Sequence, residues 1–300
     1  MDSAVLSHTV KDIHRDITEK IVSAIEKGVG TCSMPWHRTL KGRPENARTG
    51  SRYRGVNVLA LWIDAIEKAY PSLYFASYRQ WQELGAHVRK GERGSPILFY
   101  KALDIEDDGE EDSSPSRRFV IRGSTVFNVA QVDGWTPPEL PQTNKVERLN
   151  HVEQLVAKTK AVVREGHYTM ACYDMALDVI DMPVRSAFVG TSTSTPTESF
   201  YAVLLHELSH WTGHKDRLAR DMKHRFGDMG YAMEELIAEL GAAFLCADLE
   251  LVGEPRPDHA AYIADWLRVL KRDPKALTTA AAKASAAAEY VAAFNSQQES

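Results

Sequence analysis

The stretch Tyr201–His214, YAVLLHELSHWTGH, decides how the rest of the chain is read. Residues four apart share one face of a helix, so the imidazoles of His206 and His210 reach a single metal ion, while Glu207 lies about 100° further around and points at the water beside that ion. The apolar run Tyr201–Leu205 ahead of the histidines marks the helix as buried. Two imidazoles and a carboxylate suit zinc, with manganese as the alternative, and leave a fourth position open. The ion lowers the pKa of its water towards ~7, and Glu207 acts as the general base that removes the proton as a polarised carbonyl is attacked. The predicted chemistry is that of a zinc-dependent metallopeptidase.

A third ligand comes from elsewhere, and three residues qualify. Glu235 lies in Tyr231–Leu240, YAMEELIAEL, with Glu239 four residues on and on the same helix face. Glu235 then ligates, while Glu239 accepts a hydrogen bond from a ligand imidazole and fixes its tautomer. This arrangement resembles the third-ligand helix of gluzincins. Asp216 is the rival, because His206 to Asp216 reads H-E-x-x-H-x-x-G-x-x-D, the metzincin spacing with Asp in the last place. His214 qualifies only if the helix continues through Gly213.

Outward from this centre, the chain has 300 residues, 44% hydrophobic and 26% charged, which is globular composition and excludes collagenous, coiled-coil and wholly disordered classes. At roughly 150 residues per domain, two domains are expected. Val146–Glu165 reads as helix, residues 173–182 as extended, and helices follow near 197–212, 231–251, 257–270 and 274–294. Upstream, Val10, Ile13, Ile17, Ile21 and Ile25 form one face of a helix from Val10 to Glu26, residues 31–55 read as a long loop, and Val56–Tyr70 as helix. Ser77 and Gln80 form a capping box for a short helix, Tyr78–Leu84. Residues 87–90, 96–102 and 119–132 alternate as strands of a small antiparallel sheet. Three prolines between Asp133 and Lys145 mark a linker. The expected class is α+β: a helical N-terminal domain with a small sheet (1–133), a linker (134–145), and a mainly helical C-terminal domain with a few strands (146–300).

Three cysteines, far apart, support neither a disulfide framework nor a thiolate zinc cluster. Apolar runs fall short of the ~20 residues of a membrane span and the start lacks a signal-peptide core, so no membrane partner and a cytoplasmic location are expected. The net charge of -5 conceals a split. Seven acids lie in one run between Asp104 and Asp112, and without it the first 130 residues are strongly basic. Arg38, Lys41, Arg43, Arg48, Arg52 and Arg54 face a single acid, Glu45, beside Trp36 and Tyr53. Cations next to aromatics suit single-stranded nucleic acid, whose phosphates attract the charge and whose bases stack on the rings. Arg79, Arg89, Lys90 and Arg93 extend this track.

Several motifs occur in order: Pro35-Trp36, N-A-R-T-G-x-x-Y-R-G-x-N from Asn46 to Asn57, V-R-K-G-E-R-G-x-P from Val88 to Pro96, V-F-N-V-x-Q from Val126 to Gln131, H-E-L-S-H-W-T-G-H, and Y-A-x-E-E-L-I-A-E-L. From about residue 10 to 295 the chain resembles the ArdC-type antirestriction proteins of conjugative plasmids. That resemblance implies an N-terminal domain that binds single-stranded DNA, Asn57 among its motif residues. It also implies a zincin-like C-terminal domain similar to SprT-type proteases, and a role protecting incoming DNA from host restriction. Protein substrates would be DNA-bound or restriction proteins. The alternative is a non-proteolytic module that coats single-stranded DNA and keeps a structural metal.

Overall fold

The computed structural model describes residues 10–28, 42–104, 117–138, 145–190, 194–222, 228–251, 259–273 and 275–296. Trp36, Arg38, Lys41, Cys32 and most of the acidic run lie outside these residues.

Helix α1 (Val10–Gly28) follows its isoleucine face: Ile17, Ile21 and Ile25 are all buried. Strand β1 (Glu45–Asn46) follows, and α2 (Val56–Glu67) is buried along almost its whole length, from Val56 to Ala65. Strand β2 (Tyr74–Ser77) runs directly into α3 (Tyr78–Glu83) through the expected capping box of Ser77 and Gln80. After β3 (His87–Val88), strands β4 (Ser95–Asp104) and β5 (Arg117–Asn128) form an antiparallel hairpin, in a sheet of order β1-β2-β5-β4.

The stretch 119–132 is not one strand. Asn128 accepts from Ala130 N and caps a 3-10 turn, Val129–Gln131, which redirects β6 (Val132–Asp133) to pair with β3 in a separate two-stranded sheet. Strands β1 and β2, two and four residues long, are too short for alternation to show in the sequence.

Helix α4 (Lys145–Thr159) ends six residues before Glu165, where Lys160 takes a φ of 58° and the β-branched pair Val162-Val163 opens β7 (Val162–Gly166). Strands β8 (Cys172–Asp174) and β9 (Val179–Pro183) complete a sheet of order β7-β9-β8, with β8 at an edge. Helix α5 (Pro196–Trp211) starts with a capping box of Thr195 and Glu198 and a proline in its first turn. Helix α6 (Met229–Asp248) is capped by Asp228, and α7 (His259–Arg272) and α8 (Ala276–Ser296) follow. A Cβ on Gly241 of α6 would stand 2.8 Å from Ser209 Oγ of α5, so the glycine permits the close crossing that brings the two helices' polar residues together.

The main core runs through both halves, while a smaller cluster of Ala76, Trp81, Ala86, Val129 and Val132 stays within the first. The main core joins Ile17, Ile21 and Ile25 of α1 and Trp62 of α2 to Phe244 of α6 and Ala284 of α8. The Trp62 and Phe244 ring centroids are 5.7 Å apart, and Gly55 N donates to Ser285 Oγ at 2.8 Å. The class is α+β, and no described helix is long and apolar enough to cross a membrane.

Candidate metal centre and the basic surface

Helix α5 presents His206 and His210 to α6, and α6 answers with Glu235: the three ligand atoms all lie within 4.8 Å of one another, and all three residues are buried. His206 Nε2 and His210 Nε2 are 3.2 Å apart. Glu235 Oε2 is 3.6 Å from the first nitrogen and Oε1 is 3.5 Å from the second. Two nitrogens bound about 2.0–2.1 Å from one tetrahedral ion stand roughly 3.3 Å apart, so the donor set fits a zinc-sized cation.

The His210 tautomer leads to the same conclusion. His210 Nδ1 faces Glu234 Oε1 at 3.2 Å, an acceptor, which places a proton on Nδ1 and leaves the Nε2 lone pair facing the centre. Glu239 Oε2 is the carboxylate nearest His206 Nδ1, at 3.7 Å, which is beyond hydrogen-bond distance, and this buried Nδ1 has no hydrogen-bond partner among the described residues. A lone pair and a carboxylate converging in a buried space repel one another unless a cation sits between them. Without a metal the cation is a proton. Burial lowers the pKa of His210, but the Glu234 and Glu235 carboxylates outweigh it and push it up to about 10. Burial raises Glu235, yet hydrogen bonds from both imidazoles hold it far below the usual carboxylate range.

Glu207 lies beside this group on α5. Its Oε2 accepts the backbone N–H of Tyr173 at 2.9 Å, so the edge strand β8 fixes its orientation. The other two candidate ligands stand apart from the centre. Helix α5 ends at Trp211, before it could carry His214 onto the metal face. His214 Nδ1 instead accepts from Asp216 N at 3.3 Å, and the Asp216 side chain is 72% exposed.

Three contributors were not expected: Glu234, Arg220 and Tyr173. Arg220 donates to both oxygens of Glu234, at 2.7 and 3.0 Å, and also to Thr212 Oγ1 and Ser209 O, which ties the end of α5 to the start of α6. Burial raises Glu234, but hydrogen bonds from His210 and Arg220 bring its carboxyl below the ordinary range. The doubled Glu234-Glu235 was the one available signal. Arg220 and Tyr173 give none, since they are brought in by loop and sheet geometry.

A prediction arises from the raised His210. In metal-free protein its extra proton stabilises the fold fully below pH 6.5, and that contribution is lost as pH rises through about 10. Glu234→Gln is therefore expected to flatten the decline in unfolding free energy between these limits in urea titrations. It is also expected to weaken metal binding by about 10–100-fold in competition with a chelating dye.

The basic surface divides in two. Arg43 is not at the surface: its side chain is 5% exposed, makes a two-pronged ion pair with Asp248 at 2.7 and 2.8 Å, and lies over the Phe244 ring. Tyr53 is buried, with its hydroxyl donating to Phe75 O, and Asn57 is buried between the N–H and C=O of Leu98. These three hold the fold together, which corrects the expectation that they meet nucleic acid. Exposed are Arg48, Arg52, Arg54, Lys90 and Arg93. Arg48 pairs with Glu83 at 3.4 Å, Arg52 with Asp248 at 2.8 Å, and Arg54 with Glu289.

A histidine pair and a glutamate on crossed helices, joined to a helical half with a small sheet, define a zincin-like metallopeptidase fold carrying an N-terminal domain. Family models agree: residues 11–127 match the N-terminal domain of anti-restriction factor ArdC, and residues 150–283 match a zincin-like metallopeptidase. The crystal structure of antirestriction protein ArdC from plasmid R388, metal-free, superposes with a TM-score of 0.76 at 35% identity, covering 96% of this chain and 100% of that one. Its Mn(II)-bound form gives 0.76 at 34%, covering 95% and 99%. Protein y4eC of Sinorhizobium fredii is 43% identical over 96% of this chain and 94% of its own length. DNA primase TraC of Escherichia coli is 32% identical over 98% of this chain, which spans 28% of TraC. The chain belongs to the ArdC antirestriction family.

Proposed function

We propose that this protein binds single-stranded DNA through its first half and hydrolyses a peptide bond of a DNA-bound or restriction protein in its second, protecting incoming conjugative DNA in the cytoplasm. The division of labour follows residues 1–133 and 146–300, joined by 134–145. The observation that carries this reading is the convergence of His206, His210 and Glu235 within 4.8 Å, with Glu207 alongside.

Those three residues would hold the ion, zinc or manganese; the R388 relative has been crystallised with Mn(II). When bound, the ion supplies Lewis acidity that polarises a carbonyl and makes water more acidic. Everything else is done by the chain. Glu207, oriented by the Tyr173 N–H, takes the proton of the attacking water at a carboxylate oxygen and passes it to the leaving amine. Glu234 and Glu239 stand behind the ligands: Glu234 fixes the His210 imidazole with its Nε2 turned inward, and Glu239 is the carboxylate nearest His206 Nδ1. Relatedness to a DNA primase and the exposed cations of the first half support nucleic acid as the partner.

The test uses full-length protein, stripped with a chelator and reloaded with Zn(II) or Mn(II), mixed with a restriction endonuclease or other DNA-binding protein on single-stranded DNA. Fragments are expected by mass spectrometry only when both metal and DNA are present. Protection of DNA with no fragment in any arm would leave the coating module as the function.

A further inference from the structure

We propose that the first half holds single-stranded DNA at a one-nucleotide cleft, with an unstacked base against an apolar wall and the flanking phosphates on Lys90 and Arg93; this rests on the DNA-binding reading above and locates it. Arg48, Arg52 and Arg54 each face a carboxylate, and Arg43 is buried. Lys90 and Arg93 differ. Both are exposed, in the turn between β3 and β4, and among the described residues neither has an ion-pair partner.

This turn is pinned to the wall of a cleft. Arg93 O accepts from Gln131 Nε2 at 2.9 Å, Arg89 N donates to Gln131 O at 3.0 Å, and the Arg89 guanidinium donates to Ala130 O. Val129 and Ala130, just before Gln131, line a cleft of 460 Å³ together with Pro71, Tyr74, Pro137 and Pro138. That volume lies within the roughly 300–1,000 Å³ of small-ligand sites. Its aromatic side is braced, for Tyr74 packs edge-on against Trp135 at 5.5 Å and Trp135 against Trp81 at 5.3 Å.

Charge complementarity selects the occupant. Glu92 and Asp133 beside this turn are both engaged by Arg89, and Lys68 reaches the same turn through Arg93 O at 3.5 Å. The carboxylate next to the aromatic wall is Glu45, which pairs in register with Tyr74; burial and then this carboxylate push the Tyr74 pKa up. An apolar wall with an aromatic side chain beside unpaired cations matches a base next to phosphates. Such stacking is tolerant of sequence because every base has a π-face.

The experiment measures binding of full-length protein to a fluorescent oligo-dT across a salt series. Lys90→Glu/Arg93→Glu is expected to weaken binding more than tenfold and to lower the salt slope by about 1.4, two phosphates at ~0.7 each. Ala130→Trp, which fills the cleft, is expected to weaken binding on the order of tenfold with the slope unchanged. Lys275→Glu/Lys283→Glu, an equal charge change on the second half, should leave affinity within twofold. An oligonucleotide carrying 5-iododeoxyuridine should cross-link to Tyr74 or Trp135. Wild-type affinity and slope in both the turn and cleft variants would overturn this site while leaving DNA binding intact. Capture of a proline-rich peptide in the cleft without competition from oligo-dT would also overturn it. Absence of binding by the unaltered protein would overturn both readings.

Discussion

Glu207→Gln is expected to slow peptide hydrolysis by about 10²–10⁴-fold, the usual contribution of a positioned general base, while the protein keeps one divalent ion per chain. The amide retains the size of the carboxylate, and its oxygen still accepts the Tyr173 N–H, so β8 and α5 stay in place. What is lost is basicity. His206, His210 and Glu235 are untouched, and metal content by atomic emission should match the unaltered protein. Equal cleavage by the two proteins, each carrying its ion, would remove Glu207 from the reaction.

The second large effect lies far from the chemistry. Asp248→Ala leaves the Arg43 guanidinium, 5% exposed and seated over Phe244, without its carboxylate. Removing one partner of a buried pair costs about 3–5 kcal/mol, because an uncompensated charge remains. At roughly 2–4 °C per kcal/mol for a chain of this size, the melting temperature falls on the order of 10 °C. Arg52→Ala, half-exposed on the same aspartate, should cost less than about 1 kcal/mol. The double change Arg43→Met/Asp248→Leu replaces the pair with apolar volume and should recover most of the loss. Calorimetry of the four proteins checks the order, and an unshifted Asp248→Ala would show the pair to be idle.

The parts of this molecule that were legible in its sequence are those fixed by local spacing. His206 and His210 at four residues, Glu235 and Glu239 at four, and Ser77 with Gln80 at three each state a helix face or cap without reference to the rest of the chain. Illegible were contacts that join distant segments. Arg43 reads as one more cation in a basic loop until Asp248, 205 residues away, accepts its hydrogen bonds. Arg220 behind Glu234, and the Tyr173 amide on Glu207, depend on where a loop and an edge strand come to rest. The turn at Val129–Gln131 was hidden inside a β-like run because Asn128 acts as a cap only once the backbone bends there.

The common core also constrains how such proteins exchange parts. A recombination joint in the proline-rich segment would pair one parent's α1 and α2 with another's α6 and α8, and the first half would have to bring an arginine matching Asp248 while the second brought a hydrogen-bond acceptor for the Gly55 N–H. Exchanging one half alone would therefore cost both contacts at once, and TraC matches 98% of this chain, both halves included, within 28% of its own length.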